Sequence, residues 1–313
     1  MAAPTIRMAP ADWLWILLLS VIWGGSFVFI ELALAGFQPL GIVAIRLGLG
    51  AALLFAWLWA TNRLPRFTRE RCIAVCVMGL LSNAIPFFLL TWGQTGLGAG
   101  LASIFNATTP LFTILVAHLW SDDDKITPSR LIALATGLAG VVVLMGGESL
   151  RELGSSLPAQ LAVLGAAIFY AISGVYGRRM FRMGLDPAAA AAGQFVAAFL
   201  LVAPLALALD RPWRLPLPDA TAWGGVLALA ILSTAIGYII FYKVLARSGA
   251  TNAMLVTFLS PVSAILLATA FLGERLNLTQ AAGMTLIFAG LAVADGRLFA
   301  RLAAYLRRSR LGT

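Results

Sequence analysis

The sequence predicts an all-α integral membrane protein. Ten transmembrane helices are expected, in two inverted five-helix repeats (5+5), with N-in/C-in topology. Three observations carry this. Hydrophobic residues make up 61% and charged residues 11% of 313, and the mean hydropathy is +0.93, a balance foreign to water-soluble globular chains. The basic residues fall in alternate connections, and the second half of the chain repeats the first.

A span needs about 20 mainly apolar residues at 1.5 Å rise each. On that measure ten spans fall near 13–35, 38–60, 72–92, 97–119, 129–147, 158–178, 186–209, 220–246, 249–272 and 279–298. The first follows Arg7 and ends in an Ala-Leu-Ala that imitates a cleavage site, but its apolar stretch exceeds the roughly 7–15 residues of a signal h-region, so it is expected to be retained. The third opens on Cys72 and Cys76, small residues on the reducing side rather than a disulfide or a zinc site. The fourth holds "IFNATTPLFTIL" (104–115), in which Asn106, two threonines and Pro110 interrupt an apolar run. The fifth and sixth carry small residues at 137–140 and at Gly165 and Gly174, positions where helix backbones approach closely. The ninth repeats the proline of the fourth at Pro261. Residues 299–313 form a basic cytoplasmic tail suited to anionic headgroups.

Cytoplasmic connections carry an excess of Lys and Arg. With the N-terminus inside, seventeen basic residues are inner: Arg7; Arg63, Arg66, Arg69 and Arg71; Lys125 and Arg130; Arg178, Arg179 and Arg182; Lys243 and Arg247; Arg297, Arg301, Arg307, Arg308 and Arg310. Four are outer, Arg151, Arg211, Arg214 and Arg275, and Arg46 lies within a span. The net charge of +9 is therefore topological, and no nucleic acid is expected as a partner. Arg outnumbers Lys twenty to two, which with abundant Ala and Gly points to a GC-rich bacterial source and hence the inner (plasma) membrane.

Residues 82–110 align without a gap on 233–261 at an offset of 151, pairing Ser82 with Ser233, Ala84-Ile85 with Ala235-Ile236, Gly98-Ala99 with Gly249-Ala250 and Pro110 with Pro261. After a one-residue slip, Asp124-Lys125-Ile126 meets Glu274-Arg275-Leu276 and Ala139-Gly140 meets Ala289-Gly290. Upstream, "WGGSF" (23–27) falls opposite "YAISG" (170–174), and Pro39 with Arg46 opposite Pro187 with Gln194. The repeats are thus 12–147 and 158–298. An odd number of spans inverts the second repeat, and transporters built this way bind substrate near the midplane between the repeats.

Proline denies an N–H to the carbonyl four residues earlier, here that of Asn106 and that of Thr257. Unsatisfied backbone persists in a membrane only where protein, water or ligand bonds it. The two bends are expected either to face a wet cavity, with Pro110 and Pro261 as hinges and Asn106, Thr108, Thr109, Thr257 and Ser260 as substrate contacts, or to have their Ser and Thr bonded to neighbouring backbone. Trp23 and Ser26, Asn83, Tyr170 and Ser173, and Thr234 and Tyr238 lie at comparable depth; aromatic walls with few polar groups suit an apolar or aromatic amino acid, though each equally serves helix packing. Arg46, a charge at membrane depth, either attracts a substrate carboxylate or pairs with Glu31 or with carbonyl groups. Glu31 and Asp295 lie near span ends and His118 is the only histidine, so facilitated movement is favoured over proton antiport. This set offers no activated nucleophile and no metal or cofactor site.

"WGGSF", "PLGIVAIR" (39–46), "AGLASIFNATTPLFTIL" and "LSPVSAILLATAFLGERLNLTQAAGMTLIFAG" (259–290) resemble the EamA family of the drug/metabolite transporter superfamily, over nearly the whole chain. One departure is "SDDDKIT" (121–127), where the family often has a Gly-Glu pair. The resemblance implies a secondary transporter of small metabolites, often an exporter of amino acids, working by alternating access, with the lipid bilayer and a small-molecule substrate as its partners. A monomer or weak homodimer is expected. An intramembrane lipid-modifying enzyme and a proton-coupled antiporter are the alternatives.

Overall fold

The structure is a computed structural model that describes residues 10–65, 67–120, 128–145, 156–253 and 255–295. Arg7, Arg66, Lys125, the 121–127 loop, Arg151 and the basic tail with Arg297 lie outside the described residues. Helices account for nearly all of the rest, and no strand occurs among the described residues.

The helices are α1 (Pro10–Leu34), α2 (Pro39–Ala60), α3 (Arg69–Gly79), α4 (Ile85–Gly93), α5 (Ala99–Asn106), α6 (Thr109–Trp120), α7 (Pro128–Met145), α8 (Ser156–Arg182), α9 (Pro187–Leu205), α10 (Ala220–Ala228), α11 (Gly237–Ala253), α12 (Leu255–Leu272) and α13 (Leu278–Asp295). π-helical turns at Leu80–Ala84 and Leu229–Ile236 join α3 to α4 and α10 to α11 into continuous rods, and another, Ala206–Asp210, extends α9. The first and second of these contain Ser82 and Ser233, which the internal alignment pairs. Pro86 follows the first; lacking an N–H, it cannot close the α-helical bond to Ser82, and a widened turn absorbs the mismatch.

Starts and stops follow local chemistry. Pro39 and Pro187 sit at the first turn of α2 and α9, where a missing N–H costs nothing. Asp186 accepts from the amides of Ala188 and Ala189 at 2.9 and 3.1 Å, and Asp219 from that of Ala222 at 2.8 Å, as capping residues do. Gly273, at φ +69°, stops α12 in the left-handed conformation that glycine adopts without a Cβ penalty.

Among the described residues, eight helices are long and apolar enough to cross a membrane, and two shorter apolar ones lie at Leu131–Val143 and Leu278–Gly290, within α7 and α13. Large apolar side chains such as Leu14, Leu200, Leu266 and Phe271 are exposed, the pattern of a protein whose outer solvent is lipid. The expected connection near 247–248 is instead helical, and α11 runs on to Ala253. No proline or left-handed glycine occurs there to end it.

Packing is reciprocal. α1 lies against α12, α10 and α11, while α8 lies against α4, α5 and α6; α2 packs on α9, and α7 on α13. Gly140 sits where a Cβ would meet the Ile287 amide at 2.7 Å, and Gly290 where one would meet the Ala133 carbonyl at 2.7 Å. Gly24 likewise lets α1 touch the α12 backbone at Ser260 and Ala264. Gly174 departs from expectation: nothing lies within 4 Å of its added Cβ, so no backbone approach depends on it.

Candidate functional site

Where α2, α9 and the two π turns meet, polar groups are buried in pairs. The Arg46 Nε donates to Thr234 Oγ1 at 2.9 Å, and the Asn83 Nδ2 donates to Gln194 Oε1 at 3.3 Å. Each pair joins the two halves of the chain, and the internal alignment exchanges them, Arg46 with Gln194 and Asn83 with Thr234. Thr234 Oγ1 in turn donates to the Leu229 carbonyl at 2.9 Å, so the π turn supplies the acceptor that holds the threonine toward Arg46.

Arg46 is only 7% exposed. Its guanidinium carbon lies 3.6 Å from the centroid of the Phe87 ring, in cation–π range. Tyr170 and Tyr238 lie within its electrostatic reach. No carboxylate among the described residues is in ion-pair distance of it. The expected pairing with Glu31 does not occur, because Glu31 sits at the end of α1 beside Gln94 (3.5 Å). Asn83, one helical turn before Phe87, is fully buried, and its Oδ1 has no hydrogen-bond partner.

An aromatic wall completes the cluster. Tyr238 meets Phe195 edge-on at 4.9 Å, Trp23 at 5.9 Å and Tyr242 at 6.1 Å between centroids. The Trp23 Nε1 donates to the Ser233 carbonyl at 3.1 Å, and Ser233 Oγ donates to the Ile22 carbonyl at 3.0 Å, which ties α1 to the π turn. Ser26 and Ser173 bond backward, to the carbonyls of Trp23 and Tyr170 at 2.5 and 2.9 Å. Each hydroxyl proton is thus used on its own helix, which leaves the oxygen as an acceptor.

The proline blocks behave differently from one another. α5 ends at Asn106, Ala107 and Thr108 make a turn, and Pro110 is the second residue of α6. The carbonyl that Pro110 frees, that of Asn106, accepts from Thr109 Oγ1 at 2.8 Å, and Thr108 Oγ1 donates to the Phe105 carbonyl at 2.6 Å. Threonine-to-backbone bonding, one of the two sequence expectations, is what the break contains. Asn106 Oδ1 is buried without a hydrogen-bond partner. Pro261, by contrast, lies inside an unbroken α12, and Ser260 Oγ bonds the Val256 carbonyl at 2.8 Å. Thr257 is half-buried on α12.

Trp23, Arg46, Asn83, Tyr170 and Tyr238 therefore share one cluster, while the hydrogen bonds of Asn106 and Thr109 are local or absent. Thr234, named with Tyr238 from the sequence, belongs to the cluster as well, and so do Phe87 and Gln194, which the sequence does not single out as contacts. The alignment carried the signal, since Gln194 is the counterpart of Arg46 and Phe87 that of Tyr238.

Residues 13–146 and again 157–294 match the EamA-like transporter family. The chain is 24% identical to the uncharacterized transporter YoaV of Bacillus subtilis over 88% of this chain and 94% of that one. It is 26% identical to the uncharacterized inner membrane transporter YedA of Escherichia coli, over 83% and 82%. It is also 26% identical to a probable terminal-alkyne amino-acid exporter of Streptantibioticus cattleyicolor, over 92% and 94%. A solved crystal structure shares the fold, with a TM-score of 0.65 and 21% identity over 93% of this chain and 98% of the other.

Proposed function

The chain belongs to the EamA-like transporter family, and from that premise we propose that it is a secondary transporter exporting small zwitterionic metabolites, amino acids with apolar or aromatic side chains. Transport proceeds by alternating access through a central cavity between two inverted five-helix repeats, as facilitated diffusion across a bacterial inner membrane, with both termini cytoplasmic. The single observation that carries the cargo class is Arg46. A guanidinium buried on a membrane helix with no carboxylate partner demands an anion, and a substrate carboxylate supplies one. The free Asn83 Oδ1, a turn of helix from the ring that Arg46 covers, accepts the ammonium of the same molecule, and the Trp23 and Tyr238 rings receive its side chain. The reciprocal pairing of Arg46 with Thr234 and Asn83 with Gln194 supports a two-fold relation between 12–147 and 158–298, as does the doubled family match. The relative named as a probable amino-acid exporter points to the same cargo.

A proton-coupled antiporter is the second reading, favoured by one observation: Glu31 lies within electrostatic reach of Glu274 at the same end of the molecule. Efflux from proteoliposomes loaded with labelled amino acids, with and without a pH gradient, separates the two. Saturable efflux indifferent to the gradient is expected. Arg46→Gln is expected to weaken carboxylate-bearing solutes about tenfold or more, the worth of a lost charge-assisted pair; an equal loss for uncharged solutes would sink the role assigned to Arg46.

A further inference from the structure

The connection between α12 and α13 reaches across to another helix. Gly273, left-handed at φ +69°, turns the chain so that the Glu274 amide bonds back to the Ala268 carbonyl at 3.3 Å. This aims the carboxylate at the start of α5, where Oε1 accepts from the Ala99 amide at 2.6 Å and Oε2 from the Gly100 amide at 2.9 Å. The residue before α5 is Gly98, which has no side chain to cap it. Glu274 fills that role from a distant element.

The seat is shaped for the carboxylate. A Cβ on Gly98 would lie 2.7 Å from Oε1 and one on Gly100 2.9 Å from Oε2. Gln94 fastens the same end to α1 through the Phe27 carbonyl at 2.9 Å. The segment held in this way is short and ends at the Ala107–Thr108 turn. Ala99, Gly100, Ala102, Ser103, Ile104 and Phe105 are all buried, whereas α6 beyond the turn buries only Leu111 and Ala117. α5 packs on α12, α8 and α1, and α6 chiefly on α8. The Glu274 end is thus closed and the far end looser.

We propose that Glu274 is the clasp of the outer gate. Its carboxylate fastens α5 to the α12–α13 connection while the cavity faces the cytoplasm, and it lets go when the cavity opens outward, with the Ala107–Thr108 turn as the pivot. This rests on the alternating-access reading and on the N-in orientation. Two charge-assisted bonds without a counter-cation among their partners are strong enough to bias a two-state gate and weak enough to break in each cycle.

The first arm of the test reads the gate without any cargo. In a Cys72→Ser, Cys76→Ser background, spin labels at the exposed positions Thr95 and Leu278 bracket the clasp, and electron double resonance in nanodiscs gives their separation. Glu274→Ala is expected to raise the ratio of long to short separations about tenfold, with Glu274→Gln, which keeps one acceptor oxygen, in between. Identical distributions in all three proteins overturn the clasp. A second arm cross-links Gly98→Cys to Glu274→Cys with a short thiol-specific spacer. Flux that stops on cross-linking and returns on reduction supports the clasp, and flux unaffected by the link overturns it. Absence of amino-acid flux alongside a shifted separation would sink the cargo and leave the gate standing.

Discussion

Pro110 and Pro261 occupy equivalent places in the alignment of the two halves, yet one sits at a helix break and the other inside an unbroken helix. The residues around them are alike: a threonine or serine immediately precedes each, and each frees the carbonyl four residues back. The difference lies in the partner helix. α1 brings Gly24 against the α12 backbone, where an added Cβ would meet the Ser260 carbonyl at 2.6 Å and the Ala264 amide at 2.8 Å. Ser20 and Ser263 hydroxyls add a contact at 3.4 Å. The counterpart of Gly24 in the second half is Ala171, which carries a Cβ where Gly24 has none. On this contrast Pro261 is expected to act as a fixed bend and Pro110 as a joint. Local sequence creates the weak point; tertiary contact decides whether it opens.

The sharpest way to break the contrast is to remove the clamp. Gly24→Val places branched carbons where the α12 backbone already stands, and backbone cannot yield as a flexible side chain does. Overpacking of this kind costs about 1–3 kcal/mol or more, so a large fall in thermal stability in detergent is expected. Ala171→Val, at a site that already holds a Cβ, should cost clearly less. Equal losses would mean that Gly24 is not what distinguishes the halves.

The next effect is kinetic. Pro110→Ala restores an N–H to the Asn106 carbonyl, favours continuous helix across Ala107 and Thr108, and is expected to slow turnover several-fold, as a gain of about 1 kcal/mol in one state implies. Pro261→Ala, inside a helix that is already continuous, should leave turnover within about twofold on the same scale. Initial rates of efflux decide the matter, and a larger effect at Pro261 would reverse the assignment of joint and fixed bend.

The cluster around Arg46 is largely legible in the sequence. Membrane depth and residue type bring Trp23, Arg46, Asn83, Tyr170 and Tyr238 to notice, and the structure does gather them. Hidden from that reading were contacts made across the alignment: Thr234 on Arg46, Gln194 on Asn83, and Glu274 on the amides of α5. Each depends on which helices become neighbours, and helical periodicity carries no information about that. Ser26 and Ser173 show what else a polar side chain in a span can do. A polar side chain in an apolar helix attracts functional attention, yet a hydroxyl reaches its own backbone three residues earlier at little cost, and both take that option.

The smallest expected effect separates the two hydroxyls beside the prolines. Thr109 Oγ1 donates to the Asn106 carbonyl, which Pro110 leaves without its helical N–H. Ser260 Oγ donates to the Val256 carbonyl, which stands four residues before Ser260 in a continuous helix and so receives the Ser260 amide as well. Loss of a carbonyl's only donor costs about 1–3 kcal/mol, and loss of a second donor much less. Thr109→Val should therefore lower the melting temperature measurably, while Ser260→Ala should not move it beyond error. If the two variants melt alike, the Asn106 carbonyl has another donor, water from the cavity being the obvious one. The break at Ala107–Thr108 would then be wet in the resting protein, as a joint on the transport path should be.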